Sequence, residues 1–390
     1  MENFSFVSPT QFVFGKGVEV QIGCELQKRK AQKALLHYGG SSAIKSGLIG
    51  RVKQSLDEAG IEYVELGGVR PNPEISLVRE GVALCKDHNL DWVIAVGGGS
   101  VIDSAKAIAL AALSSIDPWQ FFETKEEPEA ALPLAVVLTI PAAGSEASKA
   151  TVISNDELGR KTGYGSDLIR PVVSFLNPEL TFTLPVWQTA AGVVDIYSHL
   201  LERYFCPAGS VPVSDNLIIS LMRTIRAEAP RVLEDPSNYD ARANIMWAGM
   251  LCHQGLVGCG RIEDWATHGL EHELSAYDVT VTHGAGLAVM FPAWMMYVYK
   301  ENPRRFVEYG AQVYGLVPTG DDCADARRAI ECTKRFFMSL GMPGCLKDLN
   351  IGEDAIEKMI PTLKANKGEP FGNFKKLSMD DARAIYRLAL

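Results

Sequence analysis

From Gln11 to about residue 185, short apolar runs rich in β-branched residues alternate with amphipathic stretches, and beyond that point the alternation stops. The runs are QFVFG, KALLHYGG, EYVELGG, DWVIAVGGGS, LPLAVVLTIP and PVVSFLNP. A strand that is apolar throughout must be covered on both faces, and the helical segments between the runs supply the cover, so a mostly parallel sheet is expected. From Thr189 onward the pattern is helical almost throughout. TAAGVVDIYSHLLERYF and NLIISLMRTIRAEAPRVL, for example, repeat apolar residues at intervals of three and four. The expected architecture is an α/β domain over residues 1–185 and an all-helical domain over 186–390, joined without a low-complexity linker and bordering a cleft. At 390 residues the chain is long enough for each to bury its own core.

The formal net charge is -9 and the pI about 5.4, which excludes a polyanionic partner, because affinity for nucleic acid rests on clustered Lys and Arg. The eight cysteines form no CxxC pair and no regular framework, and MENFSFVSPTQFVFGKG has neither the basic nor the apolar region of a secretory leader. No stretch reaches about 18 uninterrupted apolar residues, the length a membrane span needs. A reduced, cytoplasmic protein with no membrane partner is expected.

Two glycine-bearing turns follow strand-like runs. Gly97, Gly98, Gly99 and Ser100 stand between WVIAV and the helical VIDSAKAIALAA. Glycines there let backbone amides approach an anion, and a helix start adds roughly half a positive charge, which suits a pyrophosphate. A tight turn capped by Ser100 explains the same residues, and the GxGxxG fingerprint is absent. Gly39, Gly40, Ser41 and Ser42 follow the earlier ALLH run, with Lys45 beyond. Enzymes that take NAD commonly place a carboxylate after such a strand, where it repels the 2′-phosphate of NADP. Here hydroxyls and a lysine stand in its place, so NADP(H) is expected in preference to NAD(H). A solvent-exposed loop is the plain alternative.

Histidines are the rarer signal. Of seven in the chain, His268, His272 and His283 fall within one short stretch, DWATHGLEHELSAYDVTVTHGAGLAV. Asp195 and His199 sit four apart in a helical pattern, which puts both on one face, and His268 and His272 repeat that spacing. One Asp/His pair alone is more often a surface contact. Two pairs plus His283 offer a carboxylate and several imidazoles, a set that suits Fe(II) or Zn(II) rather than magnesium or calcium. His37, His88 and His253 have no such company.

Together these motifs resemble the iron-containing (group III) alcohol dehydrogenase family, and within it the NADP(H)-linked butanol dehydrogenase branch. The resemblance covers nearly the whole chain: PTQFVFGKG, VRPNPE, VGGGSVIDSAKAIA, LTIPAAGSEAS, SFLNPELTFTLP, GVVDIYSHLLERYF, DWATHGLEHELSAYD and HGAGLAV. It implies a Rossmann-like dinucleotide-binding domain and an all-helical metal-binding catalytic domain, in an enzyme that interconverts small primary alcohols and aldehydes such as butanol and butyraldehyde. By resemblance Asp195, His199, His268 and His283 are the metal ligands, and His272 is the catalytic histidine that relays protons. Gly97 to Ser100 with Asp103 match the pyrophosphate loop, Gly39 to Ser42 the segment beside the adenosine ribose, and Asn72, Thr139, Ser148 and Lys161 further cofactor contacts. A homodimer is implied in the same way. One departure stands out: AYDVTVTHG carries one residue more before His283 than relatives usually have.

Three other readings use the same residues. A polyol dehydrogenase of the glycerol type is a close variant. A lyase related to dehydroquinate synthase needs several Lys and Arg residues for its substrate, which IYSHLL and WATHGL do not supply. A non-catalytic nucleotide binder follows if the extra residue removes His283 from the site.

Overall fold

The computed structural model describes residues 1–390 except Ala208. Two compact units are present, Val7–Thr183 and Leu184–Leu390, and the first six residues, Met1–Phe6, belong with the second.

In the first unit each of the six apolar runs forms a strand: β1 (Gln11–Phe14), β2 (Lys33–Tyr38), β3 (Glu62–Leu66), β4 (Trp92–Gly97), β5 (Leu134–Leu138) and, after an antiparallel hairpin of β6 (Ala150–Asn155) and β7 (Arg160–Gly165), β8 (Val173–Leu176). The six pair in parallel in the order β1-β8-β5-β4-β2-β3. Central β4 is buried along its whole length, as a strand covered on both faces must be. The hairpin was not expected from the sequence. Its strands mix polar and apolar residues, and its one clear signal is the turn at Gly159, which adopts a left-handed φ of 58°.

The strand order fixes where a ligand enters. β2 leads to β3 on one side and β4 to β5 on the other, although β2 and β4 are neighbours, with Tyr38 opposite Val96. The loops after these two strands therefore lie side by side where the connections part, the crevice that receives ligands in open α/β sheets.

The second unit is built of helices. At its centre the Val186–Tyr204 helix is buried from Thr189 to its end and packs against the helices Pro212–Glu234, Tyr239–His253 and His283–Val298. A helix buried on all sides is expected to be apolar all round. This one nevertheless buries Asp195, His199 and Glu202. The Ala266–Tyr277 helix packs on His283–Val298. Among the described residues no helix is long and apolar enough to cross a membrane.

Candidate metal centre and nucleotide crevice

Asp195 and His199 lie one turn apart on the central helix, with His199 Nδ1 3.3 Å from Asp195 Oδ1. From the Ala266–Tyr277 helix His268 Nε2 approaches the same oxygen to 3.9 Å, and from the first residue of the next helix His283 Nε2 approaches it to 3.8 Å. The segment before His283 folds into a turn, where Asp278 accepts from Thr280 N at 2.9 Å and from Val281 N at 3.0 Å. Gly284 makes the approach possible: a Cβ there would lie 2.0 Å from Ala191 O on the central helix.

Asp195 Oδ1, His199 Nδ1 and His268 Nε2 are buried and have no hydrogen-bond partner among the described residues. Each orphaned group costs about 1–3 kcal/mol, and native proteins keep few of them. One cation among them would satisfy all three. Two ligand atoms about 2.1 Å from a tetrahedral ion stand about 3.4 Å apart, close to the 3.3–3.9 Å found around Asp195. Burial pushes the Asp195 carboxyl up, but the imidazoles of His199, His268 and His283 outweigh it and hold the group well below the usual carboxylate range. Burial pushes His199 well below the ordinary histidine value, by more than the attraction of Asp195 offsets. Burial lowers His268 too, and there Asp195 and Glu202 more than offset it. An anionic oxygen among imidazoles fits a borderline ion such as Fe(II) or Zn(II).

His272 stands beside this group, partly exposed, its ring 5.4 Å from that of His283 and 6.5 Å from that of His268. His253, which the sequence left without a role, and Trp265 complete the surroundings. His253 places its ring 4.4 Å from His199 and bonds Arg203 Nη2 through Nδ1 at 3.0 Å. Trp265 lies 5.1 Å from the His268 ring with a left-handed φ of 62°, which is costly for a bulky residue and typical of functional sites. By contrast Phe205 and Trp294 are core.

In the first unit the loop residues gather as the strand order requires. Gly39 to Ser42 follow β2, Asn72 follows β3, Gly97 to Ser100 follow β4 and Thr139 follows β5, its amide donating to Gly97 O at 3.0 Å. The glycines are needed for packing alone: a Cβ at Gly97 would lie 2.4 Å from Val101 Cγ2, and at Gly98 3.0 Å from Ile140 Cβ. Ser100 does not cap the helix; Gly98 is the N-cap and Ser100 lies in the first turn. Asn72 accepts from Lys161 Nζ at 2.9 Å, which brings β7 to the crevice.

Two expected cofactor contacts also make internal bonds. Asp103 accepts from Ser145 Oγ at 2.6 Å and from Val152 N at 2.9 Å, one bond to each oxygen. Ser148 is buried, and its carbonyl and hydroxyl accept from Lys106 Nζ at 2.9 and 3.2 Å. Lys106, unnoticed in the sequence, is fully buried and also donates to Ser145 Oγ and Ala150 O, each at 2.9 Å. Burial pushes its pKa down to about 8.

Models of known families match both units: iron-containing alcohol dehydrogenase over residues 9–178, and the C-terminal domain of the Fe-containing alcohol dehydrogenase family over 189–390. The chain belongs to the iron-containing alcohol dehydrogenase family. Among its relatives, the probable NADH-dependent butanol dehydrogenase 1 of Bacillus subtilis is 40% identical over 392 residues, covering 100% of both chains. The NADPH-dependent aldehyde reductase YqhD of Escherichia coli is 35% identical, again over 100% of both. The crystal structure of NADH-dependent butanol dehydrogenase A from Thermotoga maritima superposes with a TM-score of 0.95 at 40% identity, covering 100% of this chain and 99% of that one. The family and fold implied by resemblance are thus shown, and the enzyme is an NAD(P)H-linked, divalent-metal alcohol dehydrogenase or aldehyde reductase.

Proposed function

We propose that the enzyme reduces small aldehydes such as butyraldehyde to primary alcohols, and runs the reverse reaction, with one Fe(II) or Zn(II) ion held by Asp195, His199, His268 and His283. The observation that carries this reading is the set of orphaned buried donors converging on Asp195 Oδ1. When bound, the ion supplies Lewis-acid polarisation of the substrate oxygen. Residues 1–185 take the dinucleotide at the β2/β4 crevice and residues 186–390 supply the chemistry. A nicotinamide held at that crevice would supply the hydride, and the chain's own task is to hold it and the substrate carbon within near-attack distance. His272 gives the hydroxyl proton in reduction and takes it in oxidation, because its ring stands beside His283 and is partly exposed to solvent, where it can exchange that proton.

The cofactor is read as NADP(H) in preference to NAD(H), on the chemistry of the loop after β2. Ser41, Ser42 and Lys45 are exposed there, and a Cβ added to Gly40 would meet nothing within 4 Å, which leaves room for a 2′-phosphate. Names of relatives divide between NADH and NADPH, so the loop alone supports this choice. The enzyme is read as a cytoplasmic homodimer; eight cysteines without a CxxC pair or regular framework accord with a reducing compartment.

Elemental analysis together with NADPH oxidation on butyraldehyde, with and without a chelator, tests the reading. About one iron or zinc per chain with chelator-sensitive turnover is the expected result. Turnover that survives complete metal removal overturns it.

A further inference from the structure

We propose that Glu202 and Glu271 are paired positioning residues that turn the Nε2 lone pairs of His268 and His283 onto one ion. The inference rests on the metal reading above. Both glutamates are completely buried. Glu202 Oε1 lies 2.8 Å from His268 Nδ1, and Glu271 Oε2 is bonded to His283 Nδ1. A carboxylate only accepts, so the proton of each ring sits on Nδ1 and donates outward. In the neutral ring that binds a cation this leaves Nε2 bare, and both Nε2 atoms face Asp195 Oδ1. In the other tautomer a proton on each Nε2 would occupy the space the cation needs.

Each glutamate is itself fixed. Glu202 accepts from Trp265 N at 2.7 Å and from His268 N at 2.9 Å, so it caps the start of the helix that carries His268 and holds Trp265 in its costly backbone conformation. Glu271 Oε1 accepts from Ser275 Oγ, and a Cβ at Gly286 would stand 2.7 Å from that oxygen. The two pairs tie three helices in series: the Asp195 helix to the His268 helix through Glu202, and the His268 helix to the His283 helix through Glu271. Glu271, His272 and His283 also lie close enough together to suggest a second ion. The bond from His283 Nδ1 to Glu271 assigns that pair to orientation instead.

The test is Zn2+ affinity by chelator competition on the full chain, with imidazole proton–nitrogen spectra of the Zn2+-loaded protein. Glu271→Gln keeps an acceptor and removes the charge, and is expected to weaken Zn2+ binding about 10- to 100-fold and move the His283 Nδ1 proton signal, leaving that of His268 in place. Glu202→Gln is expected to do the converse, with a larger loss, because its amide faces the Trp265 N–H. Ser275→Ala, which removes only the hydroxyl on Glu271, is the second variant if Gln at 271 prevents folding, and must give a smaller loss with the same shift. Unchanged affinity and unshifted signals in folded Glu271→Gln or Ser275→Ala protein overturn the proposal while the metal reading stands. If wild type takes up no Zn2+, or Asp195→Ala binds as wild type does, the metal reading fails and takes the proposal with it.

Discussion

Asp195 Oδ1 and His283 Nε2 face each other at 3.8 Å, too far for a hydrogen bond and close to the separation of two ligands on one ion. Asp195 is the common neighbour of three imidazoles, so its charge is what a cation gains most from. Asp195→Asn keeps the shape and removes that charge. Metal affinity is expected to fall by more than the roughly 10- to 100-fold typical of outer partners, and kcat/KM by about 100-fold or more, several kcal/mol of lost polarisation. Metal content and steady-state kinetics check it; wild-type values in both would remove Asp195 from the centre.

The approach of His283 depends on a residue with no side chain. Because a Cβ at position 284 would lie 2.0 Å from the backbone oxygen of Ala191, Gly284→Ala must push the His283 helix off the central helix. Overpacking of this kind costs about 1–3 kcal/mol, more where backbone rather than a side chain is struck. The variant is expected to melt lower and to bind Zn2+ more weakly than wild type, although no donor atom has been removed. Gly50→Ala, whose added Cβ meets nothing within 4 Å, serves as the control in calorimetry and metal titration.

How much of this was legible in the sequence depended on how each residue advertises itself. The six sheet strands were plain because burial on both faces forces uninterrupted apolar runs, and β4 shows the rule at its strictest. The hairpin of β6 and β7 lay hidden because a two-stranded element needs no such run. Asp195 and His199 could be paired from helical spacing, and the fold brings them within 3.3 Å. Glu202 and Glu271 could not, since a glutamate within a helical pattern reads as a solvated face and only tertiary packing buries it. Asp103 and Ser148 were singled out by motif position alone, and their internal bonds to Ser145, Val152 and Lys106 had no signal in the sequence.

Cofactor choice is testable at one atom. The Cβ of a residue replacing Gly39 would stand 3.4 Å from Val101 Cγ2 and 3.7 Å from Val69 O, ordinary contacts that the loop tolerates. Gly39→Asp thus adds a carboxylate after β2 without displacing the backbone. It would hydrogen-bond ribose hydroxyls and repel a 2′-phosphate, so the ratio of kcat/KM for NADPH to that for NADH is expected to fall at least about tenfold, a cost of about 1.4 kcal/mol. An unchanged ratio would show that the adenosine ribose binds elsewhere.

His37 gives the sheet a pH dependence of known sign. It is fully buried in β2, where Nδ1 donates to Leu66 O at 2.8 Å and Nε2 accepts from Ser104 Oγ at 2.9 Å, an arrangement that satisfies the neutral ring, with no carboxylate bonded to it to favour a second proton. Burial pushes its pKa from 6.5 down to about 4. The unfolded chain therefore binds the proton first as pH falls, and stability drops between pH 6.5 and about 4. The contribution is complete above that window and amounts to about 3 kcal/mol. Glu146, raised to about 7 by burial, works in the opposite direction over part of the same range, so the absolute slope is a compound of both. A difference measurement isolates His37: from pH 7 to pH 4, wild type is expected to lose about 3 kcal/mol more in denaturant unfolding than His37→Gln does. Parallel stability curves for the two proteins would mean that the ring is protonated inside the fold as readily as outside it.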